Sequence, residues 1–390
     1  WIGTLLPEIA YDSLVYHLSY PELYILNHGF THMPFSFYAD FPQAVEMLYL
    51  FGLLIGDEIT AKAFQFLIAI AIILVMLGVG RHWSRDHRMG LLAVAAFFSM
   101  PMMLFNVWSC ESDIGACLFA VAALVMMALW MEQGLCGYAS LSGLFCGWAM
   151  GTKYTMYPMA AMLAAMVVMK RGPGRWKSAG LFCLAALLAV SPWAICNVHL
   201  HHNPVYPFLT QVFGGARIDP VYWNNFMSSS GSHHPAQWIS HPATFLQVMR
   251  EPFDWLKQGF NIGDQTSAIF LFCLGGMFLA LISAQRPAAD SIVKTLLSYC
   301  ALGASLWLAV GGIPRYFMPC WAPMVLGWVY LTREYLFPST PKSPEKISWI
   351  RLSALFILFT SYLTTFGNLI YLEGREVLMG VSDKNKFLAE

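Results

Sequence analysis

Four ionisable residues stand beside long apolar runs: Asp12, which opens the stretch YDSLVYHLSYPELYIL, Asp113 in SCESDIG, Lys153 in GTKYT and Arg315 in GGIPRY. Ionised side chains at the edge of hydrocarbon are costly, and they characteristically face a bundle interior or a wet cavity. Two acids and two bases of this kind suit group transfer from a lipid phosphate. A carboxylate within hydrogen-bond reach takes the proton from an attacking hydroxyl, while fixed cations offset the charge that develops on the departing phosphate. Asp12 is the candidate base, with Arg315 and Lys153 as phosphate clamps. Arg315 is the stronger clamp, because a guanidinium fork binds phosphate oxygens through two hydrogen bonds. Asp113 would orient the acceptor or hold the base.

Each of the four also has a purely structural reading. Asp12 would cap the helix that follows it, Asp113 would complement a helix dipole, and Lys153 would snorkel to headgroups. Arg315 has the same escape, less readily behind the tight GGIP entry. His17, five residues past Asp12, shares its α-helical face poorly but stands near the same mouth. His199, His201, His202, His233 and His234 invite a metal reading, yet no HExxH or comparable ligand spacing occurs, so a divalent metal has no support. The nine cysteines lie scattered in or beside apolar runs without a C-x-x-C, as small core residues do.

The elements that must position these groups are apolar. Across 390 residues only 11% are charged, 58% are hydrophobic and the mean hydropathy is +0.56, too little polar surface for a water-facing shell. The expected fold is all-α, a polytopic transmembrane bundle. Ten spans are expected, near 58–80, 89–106, 111–132, 139–151, 155–170, 178–196, 267–284, 292–311, 316–332 and 349–371. The opening WIGTLL is expected to be the outer end of a preceding span. If the ten alternate, Arg81, Arg85, Arg88, Lys170, Arg171, Arg175, Lys177, Arg286, Lys294, Arg333, Lys342, Lys346 and Arg351 fall on one side, the cytoplasmic one by the positive-inside tendency.

The opposite side then carries residues 11–57, the turns at Glu111, Lys153 and Arg315, a large loop at 197–266 and a polar tail from 373 to 390. A transmembrane domain would thus occupy 1–372, and the tail would open an extracytoplasmic segment. Within 11–57, Tyr16, Tyr20 and Tyr24 at i, i+4 spacing and the short apolar PQAVEMLYLFGLLIG suit helices lying in the interface, with Tyr at headgroup depth. A true span at PQAVEMLYLFGLLIG would invert every later assignment, against the loop charges. Zero formal net charge leaves no global field to hold nucleic acid.

The strings YDSLVYHLSYPELYI, FPQAVEMLYLFG, SCESD, GWAMGTKYT, SPWAICNVHLHHNPVYPF and PRYFMP, in this order, resemble bacterial membrane glycosyltransferases of the GT-C superfamily, nearest the lipid-carrier-dependent, dolichyl-phosphate-mannose-protein-mannosyltransferase-like branch. That resemblance implies a polyprenyl-phosphate-linked sugar donor, a glycan, lipid or protein acceptor, and an active site on the extracytoplasmic face of the inner membrane in the cell envelope. It implies that Asp12 is the acid of the first outer loop and Asp113 the second acid, with Lys153 and Arg315 at recurring basic positions. Glu46, His17, Tyr154 and Tyr316 join these two bases as substrate-binding candidates. Protein O-mannosyltransferases and aminoarabinose transferases carry Asp-Glu where this chain has Asp12 and Ser13. Phe41, Pro42 and Gln43 replace the Lys and Pro-Pro pair of the aminoarabinose enzymes, and His202 stands where relatives often have Gly. A lipid-diphosphate polysaccharide polymerase or ligase is the nearest alternative. A transporter would need inverted halves and midplane charge.

Overall fold

The computed structural model describes residues 2–30, 33, 36–98, 101–215, 291–309 and 314–336, and the regular elements among them are helical. The opening segment forms a 3-10 turn at Ile2–Leu5, a π turn at Ser13–His17, α1 (Ser19–Leu26), a 3-10 turn at Phe37–Asp40 and α2 (Glu46–Ile55). Next come α3 (Glu58–Val79), prolonged by a π turn at Gly80–Ser84, α4 (His87–Phe98), α5 (Pro101–Trp108), α6 (Asp113–Gln133) and α7 (Cys136–Met150). A 3-10 turn at Tyr154–Met156 leads into α8 (Tyr157–Met169), and α9 (Arg175–His201) follows. Further on lie α10 (Ser291–Ala309) and a 3-10 segment at Pro314–Cys320 that runs into α11 (Trp321–Leu336).

Local chemistry sets the boundaries. Asp57 starts α3 because its Oδ1 accepts the backbone N–H groups of Ile59 and Thr60 at 3.0 and 3.2 Å, satisfying two donors that have no partner inside the helix. Along α3 the buried residues Ala61, Gln65, Ile68, Ile72, Met76 and Val79 recur every three or four positions, one stripe facing the core. Leu67 and Leu74 point the other way and are exposed, the arrangement expected when lipid is the solvent. α6 is buried over most of its surface from Asp113 to Trp130, with Leu118, Phe119, Met126 and Leu129 partly exposed on one face, so it runs through the bundle's interior, and Gly134 ends it in a left-handed conformation at φ +71°.

Small residues bring two helices together more closely than side chains would allow. A Cβ on Gly143 would lie 2.2 Å from the Phe182 carbonyl oxygen, and one on Gly147 would lie 2.4 Å from that of Ala186. The pair is a G-x-x-x-G on α7 seated against α9, the packing mode of helices in lipid, where close van der Waals contact replaces the hydrophobic drive.

Among the described residues three helices, Glu58–Ser84, Asp113–Gln133 and Arg175–His201, are long and apolar enough to cross a membrane. The expected span at 89–106 is instead divided between α4 and α5, with Pro101 at the head of the second, where its missing N–H breaks no helical bond. α9 is longer than the expected 178–196, and the expected 316–332 span begins as 3-10 backbone before Trp321. The expected spans at 267–284 and 349–371, residues 216–266 of the large loop and the 373–390 tail lie outside the described residues. α2 has ten residues, a length of about 15 Å, well short of a bilayer core.

The bundle has two chemically different ends. At one, Glu132 pairs with Trp83 and His82, Lys170 donates to the carbonyls of Trp130 and Met131 at 3.0 and 2.9 Å, and the turns carrying Arg81, Arg85, Arg88, Arg171 and Arg175 emerge. The other end gathers the N-termini of α3, α6 and α8 with the C-termini of α5, α7 and α9, and the 2–57 segment lies over it.

The α7–α9 contact predicts the effect of bulk. Gly143→Val should destabilise the protein by about 1–3 kcal/mol through overpacking, read as a lower melting temperature in detergent. Gly137→Ala, on the same helix with nothing within 4 Å of the added Cβ, should leave it unchanged or slightly raised.

Candidate active site

The four residues Cys110–Asp113 join α5 to α6 and are all buried. A turn buried at this depth must find internal partners for its backbone, and those partners are what draw the first segment onto it. The Cys110 N–H donates to Glu8 Oε2 at 2.9 Å, and the Cys110 carbonyl accepts from Ser13 Oγ at 3.0 Å. The Glu111 carbonyl accepts from Gln65 Nε2 at 2.8 Å, with the Tyr49 hydroxyl 2.6 Å away. The Asp113 carboxylate receives the Lys153 ammonium in a direct ion pair.

Asp113 is 1% exposed as a side chain and Lys153 19%, so the pair is sealed on the acid's side and open on the base's. Burying the two ions together offsets a desolvation cost that either alone would bear. Nearby, the backbone N–H of Ala44 donates to the Gly151 carbonyl at 2.8 Å, tying the approach to α2 onto the turn that presents Lys153. Gly115 lets Val45 reach the first turn of α6, because a Cβ there would lie 2.4 Å from Val45 Cγ2.

Asp12 stands immediately before Ser13 and is therefore held within one residue of the bond to Cys110. At the N-cap of the π turn its side chain makes no capping hydrogen bond, which removes the cap as the reason for an acid there. His17 and Glu46 are buried at 2% and 4% exposure and joined Nδ1 to Oε1 at 2.6 Å, with His17 Nε2 3.5 Å from Glu111 Oε2. Tyr154 donates to the Tyr206 carbonyl at 2.7 Å and accepts from Asn197 at 3.1 Å, which ties it to the end of α9.

The tyrosines of the first segment pack within the protein. Tyr20 and Tyr24 are buried beside Met33, with hydroxyls bonded to Ser36 at 2.5 Å and Gln43 at 3.1 Å. Arg315 and Tyr316 lie in the 3-10 segment that packs on α6, with the backbone of Ala322 against Cys117, one turn from Asp113. Their side chains lie outside the described residues.

Several partners were not foreseen. Glu8 accepts from the N–H groups of Ile9 and Ala10 at 3.0 and 2.9 Å as well as from Cys110, and burial pushes its carboxyl upward against the pull of the Lys62 charge. Lys62 is 1% exposed and donates to the Leu6 carbonyl at 2.8 Å. A lysine inside the apolar run EITAKAFQF is itself a signal that a partner exists. Asp40 pairs with His201 at 2.9 Å, and the His201 ring stacks on Tyr206 at 3.9 Å. Among the described residues no three His, Cys, Asp or Glu form a group that could hold a metal ion.

No protein-family model matches the chain, and no curated protein does. Among solved structures, the chain is similar to ArnT from Cupriavidus metallidurans bound to undecaprenyl phosphate, at 13% identity and a TM-score of 0.60 over 95% of this chain and 68% of that one. The apo state of the same protein gives 13% identity and a TM-score of 0.59, over 94% and 69%. The likeness establishes the fold, a helical architecture shared with that protein.

Breaking the Asp113–Lys153 pair should cost more than removing it. Lys153→Met leaves a buried carboxylate without its cation and should destabilise by about 3 kcal/mol, while Asp113→Asn combined with Lys153→Met should recover part of that loss. Denaturant unfolding of the single and double variants in detergent measures the coupling; strictly additive losses would remove it.

Proposed function

We propose that this chain is a membrane glycosyltransferase that moves a sugar from a polyprenyl-phosphate donor to an acceptor on the extracytoplasmic face of a bacterial inner membrane. One observation carries the reading: the residue next to Asp12 is bonded to the buried turn whose last residue, Asp113, holds Lys153. A candidate base and a candidate phosphate cation are thereby anchored to a single structural unit. The ArnT fold, with undecaprenyl phosphate bound in that protein, supports the lipid-phosphate donor.

The chemistry is a direct displacement. The acceptor oxygen attacks the anomeric carbon as the bond from that carbon to the phosphate oxygen breaks, and the bonding pair leaves with the polyprenyl phosphate. Asp12 takes the acceptor's proton. Lys153, steered by Asp113, and Arg315, whose backbone lies at the same end of α6, offset the negative charge on the leaving phosphate. Inversion at the anomeric carbon follows from a single displacement.

The face follows from charge. Arg81, Arg85, Arg88, Arg171 and Arg175 emerge from the end of the bundle opposite Asp113, and basic turns favour the cytoplasm. The transmembrane unit of about ten spans over 1–372 belongs to the same proposal, with 11–57 as its outer catalytic segment.

The test is turnover of a panel of polyprenyl-phosphate sugars by purified protein in lipid, with products read by mass spectrometry. Asp12→Asn should reduce transfer by roughly 10²- to 10⁴-fold while leaving the melting temperature unchanged, and undiminished turnover would remove Asp12 as the base. Arg315→Ala should weaken use of the donor more than use of the acceptor; equal losses would count against the clamp.

A further inference from the structure

We propose that His17, gripped between Glu46 and Glu111, is a positioning residue whose positive charge holds the π turn that aims Asp12. The inference rests on the reading of Asp12 as the base. Three separate stretches of chain meet at this imidazole: its own turn, the first residue of α2 and the turn before α6. His17 Nδ1 lies 2.6 Å from Glu46 Oε1, and His17 Nε2 lies 3.5 Å from Glu111 Oε2. The second approach is an ion pair too long for a good hydrogen bond.

The backbone between Asp12 and His17 is unusual in the way this role requires. Ser13–His17 is a π turn closed by the Leu18 N–H on the Ser13 carbonyl at 2.8 Å. An α-helix would set residues five apart on different faces, whereas i→i+5 closure brings Asp12 and His17 round towards one face. A π turn is rare, and it persists where surrounding contacts over-determine it. Here those contacts are the Ser13 bond to Cys110 at one end and the two carboxylates on His17 at the other.

Neutral histidine would turn an unprotonated nitrogen towards one of the two carboxylates, whereas the imidazolium donates to Glu46 and presents its second N–H, as a charge, to Glu111 at 3.5 Å. The groups facing His17 are therefore Glu46 from α2 and Glu111 from the α5–α6 turn, with the Tyr16 ring 4.2 Å away on its own element. Glu8, Lys62, Cys110 and Tyr49 lie behind the same turn. Burial alone would lower the imidazole's affinity for its proton, but the hydrogen bonds and charges of Glu111 and Glu46 outweigh it and push His17 from 6.5 up to about 9. A raised folded-state value gives the sign. The charge contribution is complete below about 6.5 and is lost as the pH rises through about 9.

The experiment has two arms on the full-length protein in detergent or lipid. In the first, histidine-labelled protein is titrated by NMR, with the His17 signal identified by its absence in His17→Asn, and exchange of the Leu18 amide is followed at one pH. His17 should titrate near 9 in the wild type and at least one unit lower in Glu46→Gln, and Leu18 should exchange at least tenfold faster in both variants. Titration near 6.5, or unchanged Leu18 exchange, overturns the clamp even if sugar transfer is found. In the second arm, the transfer rate of the wild type should fall as the pH passes through about 9. That fall should move to lower pH in Glu46→Gln and be missing from His17→Asn, whose kcat is reduced more than its KM for donor is raised. A pH profile that Glu46→Gln leaves in place overturns the role in aiming Asp12. If the first arm holds and no donor in the panel is consumed, the clamp stands as a structural device, its aiming role falls with the enzyme reading, and the two failures are told apart.

Discussion

Desolvation of charge at one end of a hydrocarbon-packed bundle is the constraint from which the rest of the structure follows. Glu8, Glu46, Glu111 and Asp113 are each at most 4% exposed, and Lys62 is 1% exposed. Ionised groups at that depth persist only beside partners, and the partners come from segments remote in sequence. The buried turn at Cys110–Asp113 gathers them: its backbone anchors Glu8 and Ser13, its Glu111 side chain faces His17, and Asp113 holds Lys153. The first segment is therefore pinned to the bundle by polar contacts, although most of its own residues are apolar or aromatic.

This arrangement divides the labour between helices. α6 runs through the interior, buried over most of its surface, and carries the site's acid on its first residue. α7 and α9, locked by Gly143 and Gly147, fix the turn after α7, which presents Lys153, and the last residue of α9, His201. Reactive groups at helix ends, with backbone locked just beneath them, are held more exactly than groups on free loops.

Much of the fold was legible in composition. A charged fraction of 11% leaves lipid as the only adequate solvent, and the apolar periodicities near 58, 111 and 178 became the three helices long enough to cross. The α4–α5 division was harder to read, since Pro101 also suits the start of a helix within a longer apolar run. The Gly143–Gly147 spacing was present in the sequence, and its meaning depended on knowing that Phe182 and Ala186 stand opposite. At the site, Asp113 is ion-paired with Lys153, a contact that the sequence reading, which gave the two residues separate roles on acceptor and phosphate, did not name. His17 and Glu46 are buried and paired with each other, which spacing alone does not reveal. Spacing along an α-helix sets His17 apart from Asp12, and the π turn closed by the Leu18 N–H on the Ser13 carbonyl, which tertiary bonds hold, replaces that spacing. Lys62 passed unremarked inside an apolar run, although its charge alone required a counterpart.

The length of α9 carries a consequence for the membrane itself. At 27 residues the helix measures about 40 Å, some 10 Å more than a hydrocarbon core. Its surplus lies at Arg175–Lys177 and at Asn197–His201, and the second of these is bonded to Asp40 and Tyr154. A thinner bilayer favours a steeper lean of such a rod and a thicker one a more upright stance. Any lean of the helix is carried directly to Asp40 and Tyr154, and through the Tyr154 ring to Phe41 and Phe208, which meet it edge-on.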